Sequence, residues 1–288
     1  TTASAGCNTV ATNLLASNFV GRRRNKLAVT GLGAQFLSGL VGNIAIPRAT
    51  GGATAYWVAE SGAPTESQAA FDQVTMSPKT VGAYSDISRK LLLQSSLDVE
   101  GFVRNDLASV LALAIDLAAI NGTAAGNQPR GLLATSGIGD VAGGTNGAAP
   151  TWANMVELES DIAIANADVG TMGYLTNAKV RGKLKTTSKV SGQNGFVWED
   201  GMVNGYNAAV SNQVPSNLVK GTSGAVASAI IFGNWSDLII GQWGTLDLMV
   251  DPYSGSTSGT VRVVALQDVD IAVRNAVSFS AMLDALTV

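Results

Sequence analysis

The chain has 288 residues, 46% of them hydrophobic, a net charge of −3, no histidine and a single cysteine, Cys7. That is enough apolar content for a real core, while the missing histidine removes the commonest general base, the Ser/His and Cys/His nucleophile pairs and nitrogen-ligated metal sites. Charged residues make up only 14%, against roughly 25% in an average domain, so much of the surface is expected to face other protein, and near-neutrality argues against a dedicated nucleic-acid reader.

Residues 1–50 read as an arm and an entry strand. Small residues and short apolar pairs precede GRRRNK at 21–26. There Arg22, Arg23, Arg24 and Lys26 either grip phosphate or a neighbour's carboxylates, or form a solvated basic turn. Thr1 fits both removal of an initiator and cleavage of a precursor, and the first twenty residues lack the order of a signal peptide, so they read as mature chain. Cys7 reads as a free thiol. No run of about 18 apolar residues is present to span a membrane. IAIPR at 44–48 is a short strand ended by proline.

Residues 56–76, YWVAESGAPTESQAAFDQVTM, read as a long hairpin. Its strands would hold Tyr56, Trp57 and Val58 on one side and Phe71, Val74 and Met76 on the other, around a middle with almost nothing to bury. Such a ribbon is marginal alone. The apolar alternation changes parity after Met76, where Val81 and Ala83 take over, which predicts a bend near Pro78.

ISRKLLLQSS predicts a short helix or turn, with Ser95 and Asp98 resembling a capping box. From Asp98, a broad apolar face (Val99, Phe102, Val103, Leu107, Val110, Leu111) predicts a long helix over 98–120, stopped by Asn121-Gly122. Its polar residues Glu100, Arg104 and Asp116 are expected to face solvent or polar neighbours. Gly137-x-Gly139-x-x-Ala142 matches a loose dinucleotide fingerprint without the flanking strand and helix, and reads as loop.

A helix is expected from 151, using Trp152, Met155, Val156, Glu159 and Ile162, then a strand at 172–176. The basic run Lys179, Arg181, Lys183, Lys185 and Lys189 either faces a polyanion or is a solvated face. Strands are expected at 229–235, 238–240, 245–250, 260–267 and 269–273. Glu157, Glu159 and Asp161 point apart on a helix and read as surface acids. Asp268 and Asp270 share one face of a strand, inviting a metal, a neighbour's arginine or solvent. No catalytic, cofactor or metal constellation emerges, and the glycosylation sequons at Asn121 and Asn234 read as chance.

The order of these pieces, an arm, IPR, AYWVAE opening a hairpin, ISRKLLLQSS and a long helix ending DLAAINGTAAGNQPRGLL, resembles the major capsid proteins of tailed bacteriophages with the Hong Kong 97 type fold. NAAVSNQVPSN, IIFGNWSDLIIGQWGTLDLMVDPYS and VDIAVRNAVSFSAM extend the likeness over nearly the whole chain. The resemblance implies an α+β fold: N-terminal arm and entry strand (1–50), extended hairpin loop (51–85), peripheral domain (86–150) with a spine helix (98–120), axial domain (151–245), peripheral return (246–277) and a last axial strand (278–288). It implies a structural protein, not an enzyme, without cofactor. Copies would close as pentamers and hexamers into an icosahedral shell around double-stranded DNA, contacted nonspecifically, with portal and decoration proteins as further partners and no membrane.

The protein would be a virion component assembled in the host bacterial cytoplasm, and a start at Thr1 would suit members whose scaffolding segment is cut away. Tyr56, Trp57, Phe71, Val74 and Met76 are the expected subunit contacts. Arg22, Arg23, Arg24, Lys26, Lys179, Arg181, Lys183 and Lys185 are the expected subunit or polyanion contacts. Some members cross-link through a lysine near the return strand. Here AAFDQV carries Asp72 and no lysine, so a non-covalent shell is expected. An encapsulin-like compartment enclosing protein cargo is the alternative reading.

Overall fold

A computed structural model describes residues 24, 25, 27–94, 98–190, 192 and 194–287. The chain enters through α1 (Val29–Leu32) and β1 (Gln35–Leu37), runs out along β2 (Ile44–Gly51) and returns along β3 (Ala70–Met76). β4 (Lys79–Ser88) and α2 (Arg89–Gln94) lead into α3 (Val99–Asn121). Next come β5 (Gly139–Asp140), α4 (Trp152–Ile164), β6 (Met172–Thr176), α5 (Ala178–Leu184), β7 (Trp198–Glu199) and β8 (Met202–Val203). The last strands are β9 (Tyr206–Val210), β10 (Ala227–Asn234), β11 (Leu238–Asp251), β12 (Thr260–Val273) and β13 (Phe279–Leu286). Among the described residues these strands form a four-stranded sheet, β1-β11-β12-β4, a seven-stranded sheet, β5-β13-β10-β6-β9-β8-β7, and a separate ribbon, β2-β3.

α3 is the expected rod, about 35 Å long at 1.5 Å per residue. Its N-cap is Asp98, whose carboxylate accepts the Gly101 N–H at 2.9 Å; Ser95 of the expected capping box lies outside the described residues. Leu107 and Leu111 pack with Ile87, Val263 and Ala265 on one face of the four-stranded sheet. Behind the rod, Gly122 lets the chain fold back: a Cβ there would sit 2.3 Å from the Pro129 carbonyl. Ala119 and Ile120 then join Leu132, Trp235, Leu238, Ile271 and Phe279 in a cluster shared by both sheets. α4, opened by a Thr151–Asn154 capping box, buries Met155, Leu158 and Ile162 against Tyr174, Phe232 and Met282 of the seven-stranded sheet.

The structure departs from the sequence reading at several points. The partner of β3 is Ile44–Gly51, not the segment around Trp57: Ile44 faces Met76 and Ile46 faces Val74. This register places both apolar alternations on one face, whereas Tyr56, Trp57 and Val58 run consecutively and cannot share one. Pro47 stays inside β2 because an open edge needs no donor there. The strands expected at 238–240 and 245–250 are one, as are those at 260–267 and 269–273. The β11–β12 ladder absorbs a bulge between Trp243 and Asp247, where Gly244 has φ +69°. The Gly137–Ala142 stretch contributes only the short β5, parallel to β13, and no helix follows it directly.

Two of the acids read as surface groups on α4 are engaged, Asp161 accepting the Ser280 hydroxyl at 3.0 Å, and Asp116, expected to face solvent or polar neighbours, meets the latter. Glu159 accepts the Tyr206 hydroxyl at 2.8 Å and an Asn204 amide N–H. Asp116 is 4% exposed, because its carboxylate turns inward to the start of α1, accepting the Ala28 N–H at 3.2 Å and the Val29 N–H at 3.0 Å. Ten residues earlier on α3, Asp106 forms a salt bridge with Arg24. The incoming chain is therefore fastened to the rod at two points.

Burial pushes the Asp116 carboxyl above the usual carboxylate range, with the two N–H bonds offsetting this in part. With the folded value raised, the residue's contribution to stability is fully present below the unfolded-state value and is lost as pH rises through the folded one. Asp116→Asn should retain an acceptor and abolish that increment in a pH series of urea melts. Asp116→Ala, which strands two buried donors, should cost about 1–3 kcal/mol at pH 7.

Candidate functional site

The ribbon is built in two unlike halves. At its base Ile44, Ile46 and Val74 pack around Met76, Ile239, Trp243 and Ala272, and the Trp243 indole N–H donates to the Gly42 carbonyl at 2.7 Å. Met76 is 1% exposed. It is a core residue of its own chain and not the subunit contact expected from the sequence, because the strand ends facing the body. Val74 is half-buried against the same cluster.

Beyond Val74 the cover stops. Arg48 and Asp72 pair across the strands at 2.7 Å, and the guanidinium holds the Asp72 carboxyl below its usual range. Phe71 is 75% exposed and Trp57 fully exposed, with Tyr56 and Val58 about half so. The connection 52–69 contains no strand or helix. Its ends are pinned where Ser67 Oγ accepts the Thr54 N–H at 2.9 Å, and a turn near its tip closes from the Gly62 N–H to the Ala59 carbonyl. Four large apolar side chains therefore stand on an arm where their own chain leaves about half or more of each uncovered.

The direction of this arm is set at its elbow. Between β3 and β4 the chain leaves one sheet for another at Ser77-Pro78, as the parity change predicts. There the carboxylate of Asp270, 4% exposed, accepts the Ser77 N–H at 2.9 Å, the Lys79 ammonium at 2.6 Å and the Ile271 N–H at 2.9 Å. The metal or neighbouring arginine considered for Asp268 and Asp270 is thus replaced at Asp270 by Lys79 of the same chain, while Asp268 accepts the Thr80 hydroxyl. The signal was legible as an alternating acid on a strand, but its partner lies almost two hundred residues away in sequence.

Among the basic residues, Arg24 lies in a cleft of about 640 Å³ together with Arg181 and Lys185. Lys179 and Lys183 occupy another side of α5 and do not line it. Lys189 is engaged by Glu199 at 3.3 Å and stands over the Trp152 ring. Arg22, Arg23 and Lys26 lie outside the described residues. Among the described residues no group of His, Cys, Asp or Glu is arranged to hold a metal ion, and no helix is long and apolar enough to cross a membrane.

Comparison with known proteins gives a consistent result. The model of the phage capsid family matches residues 6–283. The chain is similar to the major capsid protein of Halomonas phage phiHAP-1, at 34% identity over 89% of this chain and 40% of that protein. It is also similar to the major capsid protein of Klebsiella oxytoca phage phiKO2, at 25% identity over 77% of this chain and 53% of that protein. The chain thus spans about half the length or less of these curated relatives. In fold it matches the capsid of a native GTA particle with a TM-score of 0.80, at 20% identity, over 98% of each chain.

Replacing Asp270 by Ala removes the acceptor shared by the elbow and leaves Lys79 and the Ser77 N–H unpaired. Thermal or urea unfolding of Asp270→Ala should show a loss of roughly 2–4 kcal/mol. Asp270→Asn, which keeps a neutral acceptor, should lose less than half as much.

Proposed function

The chain belongs to the phage capsid family, and from that premise we propose that it is a major capsid protein whose copies assemble into the head shell of a tailed double-stranded DNA phage. The observation that carries the reading is the ribbon's uncovered outer half. An outer half left so largely exposed gains cover only from a surface outside its chain, and in a shell made of identical copies that surface is the next copy. Tyr56, Trp57 and Phe71 would each contribute about 1.5–3 kcal/mol if fully buried there. Repeated around rings of five and six, such modest contacts become a closed container.

A receiving surface of suitable character is present. The face of the four-stranded sheet turned away from α3 exposes Tyr84 and Met249, both opposite Val264 in the register. Arg262 lies over the Tyr84 ring, 4.6 Å from its centroid, and forks onto Asp86 at 2.7 and 2.9 Å. The neighbour's aromatic residues would find apolar ground there with a polar margin. The role is structural rather than enzymatic, the product is a component of the virion, and assembly is assigned to the cytoplasm of the bacterial host. Packaged DNA, a portal and any decoration proteins are partners of the shell. The joints are non-covalent: Asp72 is held by Arg48, and Lys79 is held at the elbow. The encapsulin-like alternative is not favoured, since the matched family and the curated relatives are phage capsid proteins.

Electron microscopy of the expressed full chain should show closed shells or capsomers rather than a small oligomer. Trp57→Ala should leave the urea midpoint of the unassembled chain unchanged, because the side chain touches nothing in it. It should raise the concentration needed for assembly at least about tenfold, the equivalent of about 1.4 kcal/mol. Assembly unaffected by Trp57→Ala and Phe71→Ala together would remove the ribbon from the joint.

A further inference from the structure

We propose that the cleft between the incoming chain and α5 is a binding site for the phosphodiester backbone of nucleic acid. This rests on the shell reading above and gives its DNA contact a place. The cleft, about 640 Å³, is lined by Arg24, Arg181 and Lys185, with Asn25, Asn212 and Trp198 among its other walls, and no carboxylate of the described residues lines it. Arg181 and Lys185 are one helical repeat apart, which brings their Cβ atoms to about 5–6 Å on one side of α5 and its C-terminal end. Both are exposed, and neither makes an ion pair with any described residue. Arg24 gives one terminal nitrogen to Asp106 and keeps its remaining donors. Arg181 and Lys185, without an ion pair among the described residues, and Arg24, already paired with Asp106, converge on a concave surface lined by no described carboxylate.

Charge decides between the two anionic occupants available. The exposed loop 52–69 of a second copy carries two carboxylates, Glu60 and Glu66, and no basic residue. Against it stand the cleft cations and, on the other side of α5, Lys179 and Lys183, which also lack ion pairs. Lys179, Arg181, Lys183 and Lys185, four cations within seven residues of a chain of net −3, would be left half unneutralised by two glutamates. A duplex, with one charge per about 1.7 Å of axis, neutralises them whatever its base sequence. Guanidinium forks suit phosphate oxygens, and contacts to phosphate carry no base information, so binding through these cations is independent of sequence.

The test uses the full chain held below its assembly concentration and a fluorescent 30-base-pair duplex, with affinity measured from low to moderate salt. The wild type should bind, and Arg181→Ala/Lys185→Ala should make the slope of log K against log salt shallower by ~1.8, about 0.9 for each lost phosphate contact. Arg130→Ala/Lys220→Ala, which removes the same charge away from this cleft, should leave the slope nearly unchanged. Equal loss in both double variants, absence of duplex binding by the wild type, or displacement of the duplex by a peptide of residues 52–69 would each overturn the proposal. Micrographs of the same variants keep the two readings apart: shells that form while the slope is unaltered sink only the cleft, and shells that never form sink the container.

Discussion

The ribbon that projects from this protein is aimed by one buried carboxylate. Asp270 sits at the end of β12 where the chain passes from ribbon to body, and it accepts three donors there, two of them from Ser77 and Lys79. A hairpin leaving a domain by a single pair of strands would swing about its root, since two strands carry little stiffness of their own. The elbow removes that freedom on one side of the root. On the other, Met76, Ile44 and Trp243 wedge the base into the sheet. The outer half is thus directed from its root and left largely exposed, with Trp57 wholly uncovered.

The same economy shows in the charges. Several of the acids are consumed inside the chain: Asp106 and Asp116 hold the entering segment to α3, Asp72 braces the ribbon, and Asp86 forks with Arg262. What is left outside includes large apolar side chains on the ribbon, beside Glu60 and Glu66, and the cations of α5. These are two different surfaces with two different appetites. Burial of aromatic area is short-ranged and depends on shape, which suits a joint between identical subunits. Uncompensated cations act through counterion release and tolerate any sequence, which suits a packed polyanion. A subunit of low overall charge can therefore meet its own copies without strong repulsion and still hold nucleic acid where its cations gather.

Much of this organisation was legible in the residues. The long apolar periodicity after Asp98 gives α3, and the parity change at Met76 gives the elbow. Local pattern failed where long-range pairing decides. Tyr56, Trp57 and Val58 resemble a strand by propensity, but Ile44 and Ile46 match the alternation of β3 and take the ladder. Met76 resembles an interface residue only until the sheet beneath it is known. Asp116 follows the polar pattern of a solvent-facing acid, yet backbone donors of α1 claim it from almost ninety residues away in sequence. The comparisons with known capsid proteins support the family and the fold, and the side-chain partnerships come from the three-dimensional arrangement.

Hydrogen exchange of the unassembled chain and of purified shells, followed over residues 44–76, addresses the dependence of the ribbon on its neighbours most directly. The account predicts that amides of 52–69 exchange almost freely in the unassembled chain and become strongly protected in the shell, while those at the base, 44–46 and 74–76, are protected in both. A loop already protected in the lone chain, or still unprotected in the shell, would contradict it.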